Sequence, residues 1–98
     1  DRSTWSLPAV FSTIASLGNV PLPDLERTLN LGVGMVAVVD QNVADRAVAL
    51  LNKAGMGAWI MGSVEKLDPS ASSAGLDYVQ GAKGVDGGGV LLTGSYAK

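Results

Sequence analysis

Neither cysteine nor histidine occurs among the 98 residues of the sequence. Their absence excludes disulfides, thiolate nucleophiles, imidazole bases and the usual zinc ligands. Charge is also scarce, because only 16% of the residues are charged and the net charge is −2. No run of Lys or Arg is present that would neutralise a row of phosphates, so we expect no nucleic-acid partner.

Long apolar runs are missing as well. The longest strongly apolar stretch, residues 33–39, is far shorter than the ~20 residues that span a bilayer. Residues 1–12 lack the basic start and apolar block of a secretory signal. We therefore expect a cytoplasmic protein with no membrane contact. The chain begins without Met and runs at once into patterned sequence, which predicts a fragment of something longer.

What is present is a patterned chain that is 47% hydrophobic, enough for a packed core. Apolar residues at helical spacing predict a helix over 7–17, with Ser6 as its cap. A short helix is predicted over 23–29, and a longer one over 42–54 with Asn42 as its cap.

Two β-branched, apolar segments, 33–39 and 58–66, predict strands on either side of the third helix. From residue 67 the sequence becomes rich in Gly and Ser, which predicts a flexible loop over 67–89. Residues 90–93 are expected to return as a short strand antiparallel to 58–66. The predicted fold is α/β or α+β, with helices packed on a small mixed sheet around a β-α-β-β core.

The glycine pair Gly32 and Gly34 is either part of a nucleotide-binding loop or a site of close backbone packing. Residues 32–37, GVGMVA, match the letters of the dinucleotide-binding pattern G-x-G-x-x-G/A. That pattern needs its glycines after a strand and before a helix, whose first amides meet the pyrophosphate. Here a predicted helix precedes the glycines and a predicted strand follows, so the context does not support a nucleotide loop. Glycines that permit close backbone packing are the favoured interpretation.

Other candidate residues have ordinary structural interpretations. Asp40 is expected to be a turn residue before a helix, and Trp5 and Trp59 are expected to be core or interface anchors. Single exposed cations such as Arg27 and Lys53 rarely bind anything specifically. The acidic residues of the ordered part read as helix caps or solvated charges; they are Asp1, Asp24, Glu26, Asp40, Asp45 and Glu65.

Four motifs, taken in order, carry a family resemblance. They are WSLPAVF (5–11), GNV (18–20), RTLNLGVGM (27–35) and WIMGSV (59–64). This order resembles the closing portion of phosphoribosylformylglycinamidine cyclo-ligases, also called aminoimidazole ribonucleotide synthetases. The segment R-T-x-N-x-G-V-G-M is the most specific element. Leu29 stands where the family usually has Phe, which keeps an apolar anchor but loses ring area.

The resemblance implies part of the C-terminal domain of that fold over residues 1–66. Residues 67–89 would then be a flexible Gly/Ser-rich loop, and 90–98 the return strand and C-terminus. It also implies an ATP-dependent ring closure in purine biosynthesis, with magnesium, that converts formylglycinamidine ribonucleotide to aminoimidazole ribonucleotide. Because two domains must converge on one cleft, this portion alone is expected to be inactive and to hold no bound cofactor. A homo-oligomer is expected.

Within the resembling segment, Asn30, Gly32 and Gly34 are the predicted substrate-binding residues. An amide at Asn30 can contact substrate, and the glycines can admit a ligand or a partner backbone closely. The alternative is that Asn30 caps a helix end and the glycines serve packing. No catalytic residue and no metal ligand is predicted. As a whole, the chain has a second interpretation, an independent small α/β module for ligand binding or dimerisation.

Overall fold

A computed structural model describes residues 1–66, 77–81 and 88–97. Within these ranges the chain forms a short 3₁₀ helix, three α-helices and two strands, and no helix has the length and apolar character needed to cross a membrane. The elements are the 3₁₀ helix Arg2–Thr4, α1 (Ala9–Gly18), α2 (Leu22–Thr28), α3 (Gln41–Lys53), β1 (Asp77–Gln80) and β2 (Gly89–Leu92). The predicted α+β class is confirmed.

Helix α1 begins two residues later than predicted. Its cap is Pro8, in extended conformation and with no side-chain cap hydrogen bond, so the prediction of Ser6 as the cap is wrong. The reason is local, because a residue that precedes proline is driven out of the helical region, and Leu7 therefore cannot begin a helix. Asn19 ends the helix in the left-handed conformation at φ 50°, a position that Asn tolerates.

Helices α2 and α3 confirm their predictions with ends shifted by one residue. In α3 the capping residue is Asp40, whose side chain accepts from Asn42 N–H at 2.8 Å, so the assignment of the cap to Asn42 is wrong. The role expected of Asp40, a turn residue before a helix, agrees with this contact. Gly55, at φ 85°, follows the last turn, as a left-handed residue after a helix commonly does.

Residues 33–39 do not form the predicted strand. The described residues place no neighbouring strand beside this segment, and its side chains are exposed: Met35 by 88% and Val38 by 76%. A β-branched apolar run indicates a segment suited to burial, but a strand also needs a hydrogen-bonded neighbour. Without one, the segment has no regular secondary structure here.

Residues 58–66 likewise lack the predicted strand. They are attached to α3 through Asn52, whose side-chain amide donates to the Ala58 carbonyl at 3.2 Å and accepts from the Ala58 N–H at 3.0 Å. Trp59 and Ile60 beyond it are 37% and 50% exposed. The predicted β-α-β-β core is therefore not found in the part of the chain that the structure describes.

The expected return strand exists, but with a different partner. Strand β2 pairs antiparallel with β1, from Asp77 opposite Leu92 to Gln80 opposite Gly89, and not with 58–66. Strand β1 lies inside the range predicted as a loop; the rest of that prediction falls on 67–76 and 82–87, outside the described residues. The division of the chain at residues 66 and 89 stays a prediction.

Very little of the described chain is buried. Its buried apolar side chains are Leu25 and Leu31, and the one buried charged residue is Arg2. All three lie near the end of α2, where the start of the chain meets the segment after β2. Arg2 N–H donates to the Thr93 carbonyl at 2.9 Å, and Ser6 and Ala97 form a parallel bridge. This corner of the molecule is where the candidate site lies.

Candidate functional site

A tight turn over residues 30–33 follows α2. Val33 N–H donates to the Asn30 carbonyl at 2.9 Å, and φ is positive at both central residues, 53° at Leu31 and 93° at Gly32. Positive φ at both positions is typical of a type I′ turn, in which Gly and Asn are favoured. The Asn30 side-chain oxygen also accepts from Gly32 N–H at 3.1 Å. The turn thus uses the oxygen of the Asn30 amide, whereas the amide nitrogen has no acceptor among residues 1–66, 77–81 and 88–97.

Residues near the start of the chain hold this turn from one side. The Trp5 indole N–H donates to the Leu31 carbonyl at 3.2 Å, and the Leu31 side chain is only 4% exposed. At Gly32, an added β-carbon would lie 2.8 Å from Pro8 Cγ. Gly32 is therefore required twice, for its positive φ and for the close approach of the proline ring.

The three predicted site residues have different environments. Asn30 is exposed and lines a cavity, Gly32 packs against Pro8, and a β-carbon on Gly34 would meet no described atom within 4 Å. The alternative that Asn30 caps a helix end does not describe its contact, since its side chain closes the turn that follows the helix. Gly32 serves packing as that alternative expected, whereas Gly34 is open.

An open cavity of about 1090 Å³ separates α2 and the turn from the paired strands β1 and β2, called the hairpin below. Glu26 and Arg27 line it from α2, Asn30 from the turn, and Tyr78 and Gln80 from β1. It combines an aromatic wall with a cation and amide groups, which is the mixture that small polar ligands require.

A charged cluster lies at the base of the cavity. The Arg2 guanidinium binds Glu26 through two hydrogen bonds, Nε to Oε1 at 2.6 Å and Nη2 to Oε2 at 3.1 Å. A third bond, at 2.9 Å, joins Arg2 Nη1 to Asp77 on the hairpin. The Glu26 side chain is 11% exposed and that of Asp77 67%. The bidentate pair with Glu26 is therefore the strong part of the cluster, because the exposed pair is screened by solvent.

Tyr96 completes this cluster, and its pKa is raised by its surroundings. Its hydroxyl donates to Glu26 Oε1 at 2.8 Å. Burial, together with the hydrogen bond to the Glu26 carboxylate, raises the pKa of Tyr96 to about 12. The hydrogen bonds from Arg2 keep the pKa of Glu26 below its ordinary value, with a smaller contribution from Tyr96. Glu26 is therefore a carboxylate, and Tyr96 a neutral phenol, at physiological pH.

Three aromatic rings connect the charged cluster to the turn. Trp5 lies edge-on to Tyr96, with ring centroids 5.2 Å apart and an interplanar angle of 72°, and 6.1 Å from Trp59. This agrees with the expectation that the tryptophans are packing anchors, although Trp59 remains 37% exposed. The indole of Trp5 thus contacts both the Tyr96 ring and the backbone of the turn.

Sequence reasoning missed this cluster. Glu26 was expected to be a cap or a solvated charge, and that expectation is wrong because Glu26 is paired and mostly enclosed. Arg2 is 24 positions from Glu26, so no helical or strand spacing relates them. The one sequence feature that pointed to the pair is the scarcity of charged residues, because a buried cation such as Arg2 needs an acidic partner. The three-dimensional contact was needed to identify the pair.

The described residues do not provide a magnesium site. They contain no group of three or more acidic side chains close enough to hold a metal ion. Among them, Glu26 is already bound to Arg2, and Asp40 caps α3. The groups of the described residues therefore do not fit the magnesium that the family resemblance implies.

Comparison with known proteins identifies a relative that matches nearly the whole chain. No family model matches the chain, and no solved structure gives a significant match. The chain is 40% identical over 97 residues to a protein of Streptomyces fradiae named "Putative phosphoribosylformylglycinamidine cyclo-ligase". The match covers 99% of this chain, which spans 46% of that relative's length. The resemblance to the phosphoribosylformylglycinamidine cyclo-ligases that the motifs indicated is thereby confirmed.

Proposed function

We propose that this chain forms one wall of the active-site cleft of an ATP-dependent phosphoribosylformylglycinamidine cyclo-ligase, which acts in the cytoplasm in purine biosynthesis. The observation that carries the proposal is the 40% identity, over nearly the whole chain, to a protein of that name. In such an enzyme these residues would be part of the C-terminal domain. The substrates would be ATP, with magnesium, and formylglycinamidine ribonucleotide, and the product aminoimidazole ribonucleotide.

The cavity beside the turn is the place where this wall would meet substrate. Asn30 offers an amide nitrogen there, and Arg27, one helical turn earlier, lines the same cavity with a guanidinium. An amide donor suits a carbonyl or phosphate oxygen, and a cation suits the phosphate of a ribonucleotide. Gly34, whose missing side chain leaves open space, would let a ligand approach the backbone, and Gly32, which packs against Pro8, would contribute by shaping the turn. The chain's contribution is thus to bind and orient the substrate.

Proton transfer and ATP activation are assigned to other parts of the polypeptide. In the described cavity, Glu26 is held as a carboxylate by Arg2, and the pKa of Tyr96 is raised to about 12. Neither is poised to exchange a proton near neutral pH, where general acids and bases work best. These residues alone are therefore expected to bind without turning over.

Association with a covering surface is part of the proposal. Many large apolar side chains between Met35 and Val64 are exposed, several by more than half. Large exposed apolar side chains in this number favour an interface, so we expect a homo-oligomer or packing against further parts of the same polypeptide. The second interpretation, an independent ligand-binding or dimerisation module, also predicts association. It differs in predicting no cyclo-ligase activity for the longer protein.

The test compares residues 1–98 with the longest natural polypeptide that contains them. Each is given ATP, magnesium and formylglycinamidine ribonucleotide, and ADP release is measured. The longer protein should release ADP only when the ribonucleotide is present, and residues 1–98 should release none. A longer protein that does not turn over would contradict the enzymatic proposal and favour the independent module.

A substitution in the longer protein tests the proposed substrate contact. Asn30→Ala should raise KM for formylglycinamidine ribonucleotide about threefold to tenfold, the size of one lost hydrogen bond. Asn42→Ala, an exposed asparagine in the first turn of α3, is the matched control and should leave KM unchanged. Equal KM values for the two variants would remove Asn30 from the site.

A further inference from the structure

Leu31 has a backbone conformation that its side chain disfavours. Its φ of 53° is left-handed, and a bulky residue rarely adopts that conformation because its β-carbon crowds the following carbonyl. Such a residue persists only where its surroundings hold it, and strained residues of this kind are concentrated at functional sites. The strain at Leu31 lies directly beside Asn30, the residue proposed to meet substrate.

The contacts that hold Leu31 come from one residue above all. The Trp5 indole N–H donates to the Leu31 carbonyl at 3.2 Å, across 26 positions of sequence. Trp5 is itself fixed by the Tyr96 ring at 5.2 Å, and the Tyr96 hydroxyl is bound to Glu26 on α2. The peptide group that follows Leu31 is thus anchored to a rigid aromatic and ionic cluster.

We infer that Trp5 is a positioning residue, whose indole N–H fixes the left-handed turn and so aims the Asn30 amide into the cavity. The link to Asn30 is direct, because the same turn is closed by Gly32 N–H on the Asn30 side-chain oxygen and by Val33 N–H on its carbonyl. If the Leu31 peptide rotates, both acceptors on Asn30 lose their donors. The inference has two halves. The positioning half states that Trp5 holds the turn, and the functional half, that this aims Asn30 at substrate, rests on the proposed function.

The positioning half is tested by hydrogen exchange in the longest natural polypeptide that contains the chain. Trp5→Phe keeps a ring but removes the donor, and the Gly32 and Val33 amides should then exchange about fivefold faster, as expected for one lost hydrogen bond. Trp59→Phe is the matched control. Its ring also contacts Trp5, but within the described residues its N–H has no acceptor. Unchanged exchange in Trp5→Phe, or an equal change in Trp59→Phe, would overturn the inference.

A measurement on the unaltered protein keeps the inference testable if Trp5→Phe does not fold. The bonded indole N–H of Trp5 should exchange about fivefold or more slowly than that of Trp59, since only hydrogen-bonded donors are protected. Equal exchange rates at the two indoles would contradict the contact on which the inference depends.

Substrate affinity then separates this inference from the proposed function. Trp5→Phe should raise the Kd for formylglycinamidine ribonucleotide about threefold to tenfold, whereas Trp59→Phe should leave this Kd unchanged. If the unaltered protein does not bind this ribonucleotide, the proposed function is wrong, and the exchange data still decide the role of Trp5. If binding is normal and unaffected by Trp5→Phe although exchange is faster, Trp5 holds the turn but does not position a substrate group.

Discussion

Two parts of the described chain are secured very differently. The closed corner, residues 1–33 with 93–97, contains all three buried residues together with the bidentate ion pair and the aromatic cluster. The open segment, residues 34–66, contains no buried residue and exposes Met35 by 88% and Val64 by 78%. The corner is held by a few specific long-range contacts. The open segment is more apolar, yet its described contacts with the corner are limited to such links as the Trp59 ring, 6.1 Å from Trp5, and the Met61 carbonyl, which accepts from the Asp1 amino group at 2.7 Å.

The difference teaches that apolar content and stability are separate properties of a segment. Burial stabilises in proportion to the area removed from water, so an apolar run contributes only when another surface covers it. The open segment is therefore largely uncovered apolar surface, whereas the corner holds the buried residues of the described chain, although Val10 and Leu17 on α1 are also exposed. Substitutions in the corner should be costly, and those in the open segment should act mainly on association.

The largest effect is expected from Arg2→Ala. It leaves the Glu26 carboxylate enclosed and without its cation, which typically costs about 3 kcal/mol or more of unfolding free energy. Arg27→Ala is the control. It removes an exposed cation next to Glu26 in the sequence and should change the free energy of unfolding by less than about 0.5 kcal/mol. Urea unfolding of the two variants measures the difference, and similar midpoints would show that the Arg2 pair does not hold the corner.

A smaller effect is expected from Gly32→Ala, with Gly34→Ala as its control. At Gly32 the new β-carbon meets Pro8 Cγ at 2.8 Å and φ is 93°, whereas at Gly34 no described atom lies within 4 Å. Gly32→Ala should destabilise by about 1–2 kcal/mol, the cost of a left-handed non-glycine residue. Gly34→Ala should be neutral within about 0.5 kcal/mol. A reversed order of the two thermal midpoints would contradict the described turn.

The pH dependence of stability sharpens the same comparison. The pKa of Glu26 is lowered by folding from 4.5, so its contribution is present above that pH and is lost as pH falls through the folded pKa. The pKa of Tyr96 is raised from 10.0 to about 12, so its contribution is present below pH 10 and is lost as pH rises toward 12. Tyr96→Phe should cost about 1 kcal/mol at neutral pH and abolish the alkaline loss attributable to this group. Unfolding titrations of both proteins measure this, and an unchanged alkaline limb in Tyr96→Phe would contradict the assignment.

The smallest effect on stability is expected in the open segment. Val38 is 76% exposed, so Val38→Ser should change the unfolding free energy by less than about 0.5 kcal/mol. It should nevertheless weaken self-association of residues 1–98, measured by sedimentation equilibrium. Val10→Ser, on the exposed face of α1 in the corner, is the control and should leave association unchanged. A compact monomer at high concentration would contradict the idea that the open segment is an interface.

The helices were predictable from sequence because their signals are local. Apolar spacing found the helices over 7–17 and 42–54, and Pro23 with the acidic residues of a first turn found the one over 23–29. The errors at the helix ends also have local causes, such as the effect of Pro8 on Leu7. Strands 33–39 and 58–66 were wrong because a strand depends on a neighbour that its own residues do not specify. The same reason explains why the return strand was found while its partner was misassigned.

The site was predictable only in part. The glycines and Asn30 could be singled out by motif, and their substrate contacts stay a prediction. The donor from Trp5 and the pairing of Arg2 with Glu26 could not be predicted, because each joins residues more than twenty positions apart with no periodic relation. Long-range polar contacts of this kind become visible only when the chain is folded.

The side-chain amide of Asn52 limits how a neighbouring strand can pair with the open segment. By binding both the N–H and the carbonyl of Ala58, it occupies the two backbone groups that a neighbouring strand would use at that residue. In a strand these two groups point to one edge, and the next pair on that edge belongs to Ile60. A polypeptide that adds to this edge must therefore start its ladder at Ile60 or beyond. A single side chain thus limits where a sheet can begin on this edge.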